Sequence, residues 1–317
     1  MTGAGSGRTA LLFALLGVAV FAAGCSIKRI AANNIANAMT SGADVYATDN
    51  DPELVRDALP FGLKTIESLL DVVPQNRNLL LAACRGYTQY AYAFVQLEAD
   101  NVEASDYAKA VEMRERALKL YLRARGYGIR ALELRNKGIG AALSVRPDSA
   151  AARIPKQDVD LLFWLAASWG SAISIGKDHP DLMADVNVVR ALMDRGLSLD
   201  ESFDLGSIHE ALITLEALPA MMGGSLTRAR QHFERAVALS NGRRASPFVT
   251  MAESVSIQTQ NRAEFDSLLT LALAVDPDRD PPNRLANLVI QRRARLLQKR
   301  ADELFIDSAT PEETKKK

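Results

Sequence analysis

"ARQHFERAVALSN", residues 229–241, decides how the chain folds. Ala229 and Ala236 are small, Phe233 between them is large, and the turn residue Asn241 follows five positions after the second alanine. Steps of four and then three residues put all three side chains on one face of a helix. Small side chains there let a second helix approach closely, and the large one fills the gap that remains. The stretch therefore reads as one member of a packed helical pair, and the next question is whether it recurs.

It does, in looser form. Gly62, Ile66, Leu69 and Pro74 repeat the pattern. Leu269, Ala272 and Pro277 repeat it with Phe265 where a small residue belongs, and Met193, Gly196 and Glu201 repeat part of it. The matching first helix is visible in Leu80, Ala83, Cys84 and Tyr87, which supply large, small, small and aromatic side chains just after "PQN". This is the wording of the tetratricopeptide repeat. Repeat ends at Pro147, Glu201, Asn241 and Pro277 are 54, 40 and 36 residues apart, so the repeats are degenerate and carry insertions. The expected fold class is all-α, a degenerate tetratricopeptide-like helix-hairpin solenoid over residues 51–307. Its breaks are expected at 72–76, 144–157, 177–181, 219–224, 241–247 and 276–282, leaving roughly ten helices. Asp51-Pro52-Glu53 reads as a helix start. Apolar residues at 48% suffice for a large core, while aromatics at 6% with abundant alanine and leucine favour helix over sheet.

The N-terminus has a different character. Arg8 is the one charged side chain in the first 27 residues, and an apolar run from Ala10 to Ala23 follows it. A basic start, a short apolar core and a small-residue exit make a secretory signal peptide over residues 1–24. A spanning helix needs about 20 apolar residues, so this run is marginal as a permanent anchor. The exit, Phe21-Ala22-Ala23-Gly24-Cys25, resembles a bacterial lipobox with alanine in the usual leucine position. The resemblance implies that Cys25 is acylated and that the chain is tied to a membrane by lipid. Ser26 in place of an aspartate points to the outer membrane, facing the periplasm. The alternative is an ordinary signal peptide with an incidental cysteine. Residues 25–50 read as a lipidated tether and a first, loosely docked helix, and 308–317 as a disordered polar tail.

Material for chemistry is sparse. Lysine plus arginine equals aspartate plus glutamate at 38 each, so no global field recruits nucleic acid. The basic run on the last helix (Arg292, Arg293, Arg295, Lys299, Arg300) has no interleaved aromatics for base stacking. It reads as a solvated face, or next as a dock for an acidic partner. His179, His209 and His232 lack metal-ligand spacing, and no phosphate loop or nucleophile elbow is present, so neither a cofactor nor a metal is expected. His209 and Glu210 are adjacent and diverge by about 100° on a helix, which makes them a poor acid–base pair. No enzyme is expected, and Cys84 reads as a small core residue.

Binding surfaces are better represented. On residues 78–96, Arg85, Gln89, Tyr92 and Gln96 form a stripe opposite the apolar side. In a tetratricopeptide solenoid that side lines the concave groove, where a cation, an amide and a phenol could hold a carboxylate or a peptide backbone. A plain solvated face is the equal alternative. Trp164 and Trp169 lie on a helix that is apolar nearly all round and differ by about 140° in phase. They read as one core and one groove residue, or as two core layers. With His209 and Glu210 these are the candidate partner- or ligand-binding residues.

Three segments carry a family resemblance: "LKLYLRARGYGIRALE" (118–133), "DVDLLFWLAASWGSAISIGKD" (158–178) and "LDESFDLGSIHEALITLEA" (199–217). Together they resemble the T component of tetratricopeptide-repeat-associated TRAP transporters, across roughly residues 50 to 300. The resemblance implies a periplasm-facing lipoprotein that associates with the extracytoplasmic substrate-binding protein of a TRAP-type importer. It also implies a homotrimer and a small organic-acid ligand. The competing expectation is a lipoprotein scaffold for outer-membrane or cell-wall assembly.

Overall fold

The computed structural model describes residues 27–40 and 45–306. Cys25, the signal segment and the 308–317 tail lie outside them. Among the described residues there are helices and no strands. The elements that matter below are α1 (27–40), α2 (Pro52–Val72), α3 (Arg77–Ala91), α4 (Leu97–Val102), α5 (Tyr107–Glu133), α6 (Ile139–Val145), α7 (Pro147–Ala151), α8 (Val159–Ile175), α9 (Pro180–Ala184), α10 (Val186–Leu199), α11 (Ser207–Glu216), α12 (Leu226–Ser240), α13 (Ser246–Met251), α14 (Arg262–Ala274), α15 (Arg284–Lys299) and α16 (Ala301–Leu304).

Helix starts follow from capping chemistry. Asp51 accepts from the Glu53 and Leu54 amides at 3.1 Å, ahead of Pro52 in the first turn. Asn76, Asp106, Ser225 and Asn261 cap α3, α5, α12 and α14 in the same way. Asn241 ends α12 in the left-handed conformation, φ 50°. The 144–157 insertion is partly ordered, folding into the end of α6, short α7 and a 3-10 turn.

Helices that follow one another along the chain pack together, and small residues stand where they touch. Ala229 and Ala236 of α12 are fully buried, with Phe233 packed between them. A Cβ on Gly128 would lie 3.1 Å from the Cys84 sulfur and 3.0 Å from Leu165, so α3, α5 and α8 meet there. At Gly196 it would lie 3.1 Å from both Ile208 and Leu162. Cys84 is a buried core residue whose thiol is pushed up to about 12 by burial. Phe265 departs from the repeat for a local reason: α14 closes the last hairpin, and its ring packs edge-on against Phe305 with centroids 5.0 Å apart.

The stack then returns on itself. The Leu285 amide donates to the Ala47 carbonyl at 3.1 Å, and the Arg284 guanidinium to the Thr48 carbonyl at 2.8 Å. Further along α15, Arg292 holds Glu53 of α2 in a fork, at 2.6 and 2.8 Å. Arg293 pairs with Asp100 of α4 at 2.9 Å, and Arg300 with Glu103 at 3.3 Å. The expectation of a solvated basic face is thus corrected for Arg292, Arg293 and Arg300, while Arg295 and Lys299 are exposed. Glu53, Asp100 and Glu103 belong to the N-terminal half of the same chain, and these long-range pairs close the solenoid, while Arg293 and Arg300 also meet Glu253 and Glu303 nearer in sequence. Across 239 positions of sequence no local spacing announces such a pair.

Candidate functional site

The stripe expected on residues 85–96 is interrupted. After Ala91 the backbone passes into a π-helix, Tyr92–Gln96, before resuming as α4. A one-turn π segment rotates everything beyond it, and such bulges concentrate at functional sites. Arg85 and Gln89 lie before the break, with Gln89 exposed. Gln96 lies after it and turns inward to accept from the Tyr121 hydroxyl at 2.6 Å. The four residues therefore do not form one line.

Arg85 lies over Trp164, 6.0 Å from the ring centroid. Burial lowers its pKa, and the nearby Asp204 charge opposes that shift. Trp164 is half-buried and meets Phe163 edge-on at 5.1 Å, while Phe163 packs against Phe203 at 5.4 Å. Asp204 and Leu205 are both left-handed, at φ 44° and 56°, and Gly206 follows at φ 90°. Such residues cost about 1–3 kcal/mol each and persist only where surroundings enforce them. Here Arg244 enforces them. It donates to the Asp204 carbonyl at 2.7 Å, to its carboxylate at 3.0 Å, and to the Ser207 hydroxyl. The strained turn thereby holds one carboxylate on the Arg244 guanidinium, near enough for its charge to act on Arg85, beside an aromatic floor.

A second group forms around Tyr92. Burial raises its phenol pKa, with Glu253, Glu210 and Asp100 adding to the shift and Arg293 opposing it. Glu253 stands in another π-helix, Ala252–Ser256, and accepts from Arg293 at 2.6 Å. Glu210 accepts from the Ser246 hydroxyl at 2.7 Å and lies 3.9 Å from Arg244. Burial raises its pKa against the pull of Arg244. Tyr92 packs against both apolar clusters of the molecule, so this group marks their seam.

His209 and Trp169 look elsewhere. His209 faces α12, where its Nδ1 is 2.8 Å from Nδ1 of His232 and its Nε2 is 3.2 Å from Glu201. Its neighbour Glu210 faces α13, so the two side chains serve different contacts. Trp169 is only 3% exposed; its indole donates to Asp185 at 3.0 Å and Arg125 caps its ring at 4.8 Å. The tryptophans thus differ in surroundings, Trp169 in the core and Trp164 at its edge. Among the described residues no group of three or more His, Cys, Asp or Glu side chains is placed to hold a metal ion. No described helix is long and apolar enough to cross a membrane.

Comparison with known proteins now decides the family. Residues 48–305 match the family described as the TRAP transporter T-component. The chain belongs to that family. It is also 30% identical over 304 residues to an uncharacterized protein of Treponema pallidum (strain Nichols), covering 90% of this chain and 94% of that protein. Family membership makes the chain an accessory component of a TRAP transporter.

In this T-component, sequence reasoning missed Asp204, Arg244 and Glu253, and placed Arg293 on a basic run without its partners; all four join the Arg85 and Tyr92 groups. "FDLG" carried a partial signal, because glycine after an aspartate favours a turn. Nothing local marked Glu253 or paired it with Arg293, and neither π segment has a spacing signature.

Proposed function

We propose that this T-component is a lipid-anchored, periplasm-facing accessory subunit that engages the extracytoplasmic substrate-binding protein of a TRAP-type importer through the surface carrying Arg85, Trp164 and Asp204. Membership of the T-component family across residues 48–305 carries the reading. The local chemistry supports it: a half-buried guanidinium on an aromatic ring, beside a strained carboxylate, is prepared to exchange an internal charge contact for an external one. A small organic acid would use the same exchange, its carboxylate taking the place of Asp204 toward Arg85 and Arg244. Cys25 acylation supplies the membrane attachment, and the homotrimer implied by the resemblance is part of the same proposal. Gln89 lies on the exposed continuation of the Arg85 side and belongs to the contact surface, whereas His209 and Trp169 support it from within.

The test is a mild cross-linked pull-down of the tagged full-length protein from its own membranes, read by mass spectrometry. A TRAP-type substrate-binding protein is the expected main partner. Barrel-assembly or cell-wall proteins in its place would replace this reading with the envelope-scaffold one.

A further inference from the structure

The first described helix leaves most of its surface uncovered. In α1 only Ala32 and Ala36 are buried, both against the main apolar cluster, and Asn33 accepts from the Asn76 amide at 2.9 Å. Ile27, Ile30 and Ile35 remain 66%, 57% and 51% exposed. At about 100° per residue they span an arc of roughly 140° centred opposite Ala36. Three isoleucines facing outward on one helix, with Asn34 the one polar side chain within their arc, form a mainly apolar strip with no cover among the described residues. The charge around it is one-sided: Lys28 and Arg29 lie in α1, and no aspartate or glutamate precedes Asp44.

We infer that α1 lies flat on the membrane surface, its isoleucine strip at the boundary between headgroups and acyl chains and Lys28, at the edge of that strip, among anionic headgroups. Interfacial helices bind through this pairing of a buried apolar face with flanking positive charge. The inference rests on the lipid-anchor reading of Cys25. Only Ser26 separates that cysteine from Ile27, a reach of at most about 7 Å, so an acylated Cys25 delivers the start of α1 to the bilayer. A helix seated this way does more than tether: through Ala32, Ala36 and Asn33 it fixes the orientation of the solenoid relative to the membrane. A second copy of the chain is the competing cover for the strip.

The test uses the full-length protein matured in a bacterial host and reconstituted in phosphatidylethanolamine–phosphatidylglycerol vesicles. Ile30→Cys, and separately the exposed Val145→Cys in α6 as a reference, carries an environment-sensitive fluorophore; Cys84 is buried and an acylated Cys25 is blocked. Nitroxide-bearing lipids should quench the probe at 30 roughly fivefold more than at 145, and Lys28→Glu should reduce that ratio. Equal quenching at both positions overturns the proposal. So does a probe at 30 that is shielded from aqueous iodide yet untouched by lipid quenchers, which assigns the strip to a second copy. The mass of the N-terminal peptide, measured on the same sample, reports acylation separately. A missing acyl group and a detached helix are thus distinguished, and either one overturns the proposal.

Discussion

The two ends of the solenoid are joined to it by different forces. From α2 to α12 the hairpins stack through apolar contact, and glycine and alanine stand where helices come closest. Where α15 meets α2 and α4, arginines make the join: Arg284, Arg292, Arg293 and Arg300 reach backbone carbonyls and carboxylates of the N-terminal half. Apolar stacking is insensitive to salt and tolerates little change in volume. An ionic seam behaves in the opposite way, weakening in salt where it is exposed and depending on each partner where it is buried.

The largest effect should come from Arg293. It lies between Asp100 and Glu253 with little exposure, so Arg293→Met strips Glu253 of its cation and leaves Asp100 with Arg114 alone. Removing one member of such a buried group costs about 3–5 kcal/mol, readable in a urea titration. A loss under 1 kcal/mol would mean that the seam contributes little. Next comes the apolar side of the comparison: Gly196→Leu drives a side chain into Ile208 and Leu162 and should cost about 1–3 kcal/mol, with no dependence on salt.

A smaller effect separates the regions by pH. Burial lowers the pKa of both His209 and His232 from 6.5, so the unfolded chain takes up protons that the folded one refuses. Stability from this pair is present above about pH 6.5 and is lost as pH falls below it. Glu210 has the opposite sign: burial raises it from 4.5, so the folded chain binds its proton first and is relatively stabilised as pH falls toward that value. His232→Gln should flatten the first slope and Glu210→Gln the second, in thermal melts across that range. The smallest effect belongs to Arg292→Ala. It removes a half-exposed fork to Glu53 worth about 0.2–1 kcal/mol, and the difference from wild type should vanish in high salt.

The contrast also explains what the sequence could reveal. Hairpin stacking repeats every few tens of residues with a fixed helical phase, so Ala229, Phe233 and Ala236 identify it without a structure. Cys84 was legible for the same reason, since its neighbours on α3 define an apolar side. Closure joins residues 239 positions apart, and an arginine on a helix looks the same whether it meets water or Glu53. The candidate site was half legible. Arg85 and Trp164 could each be singled out by phase, but their stacking needed the packing of α3 against α8. The π-helix at Tyr92–Gln96 broke the expected stripe, and i→i+5 bonding has no local residue pattern by which a sequence announces it. Asp204 and Arg244 entered only through a strained turn whose enforcing arginine is 40 positions away.

The proposed contact sets the surface around Arg85 against the importer's substrate-binding protein. Its most direct measurement is the affinity of that purified protein for wild type, Arg85→Gln and Arg85→Glu, with helical content checked by circular dichroism. The account predicts intact helicity in both variants, a loss for Arg85→Gln, and a larger loss of at least about tenfold, roughly 1.4 kcal/mol, for the charge reversal. Unchanged affinity in folded variants would contradict it and move the contact to another face of the solenoid.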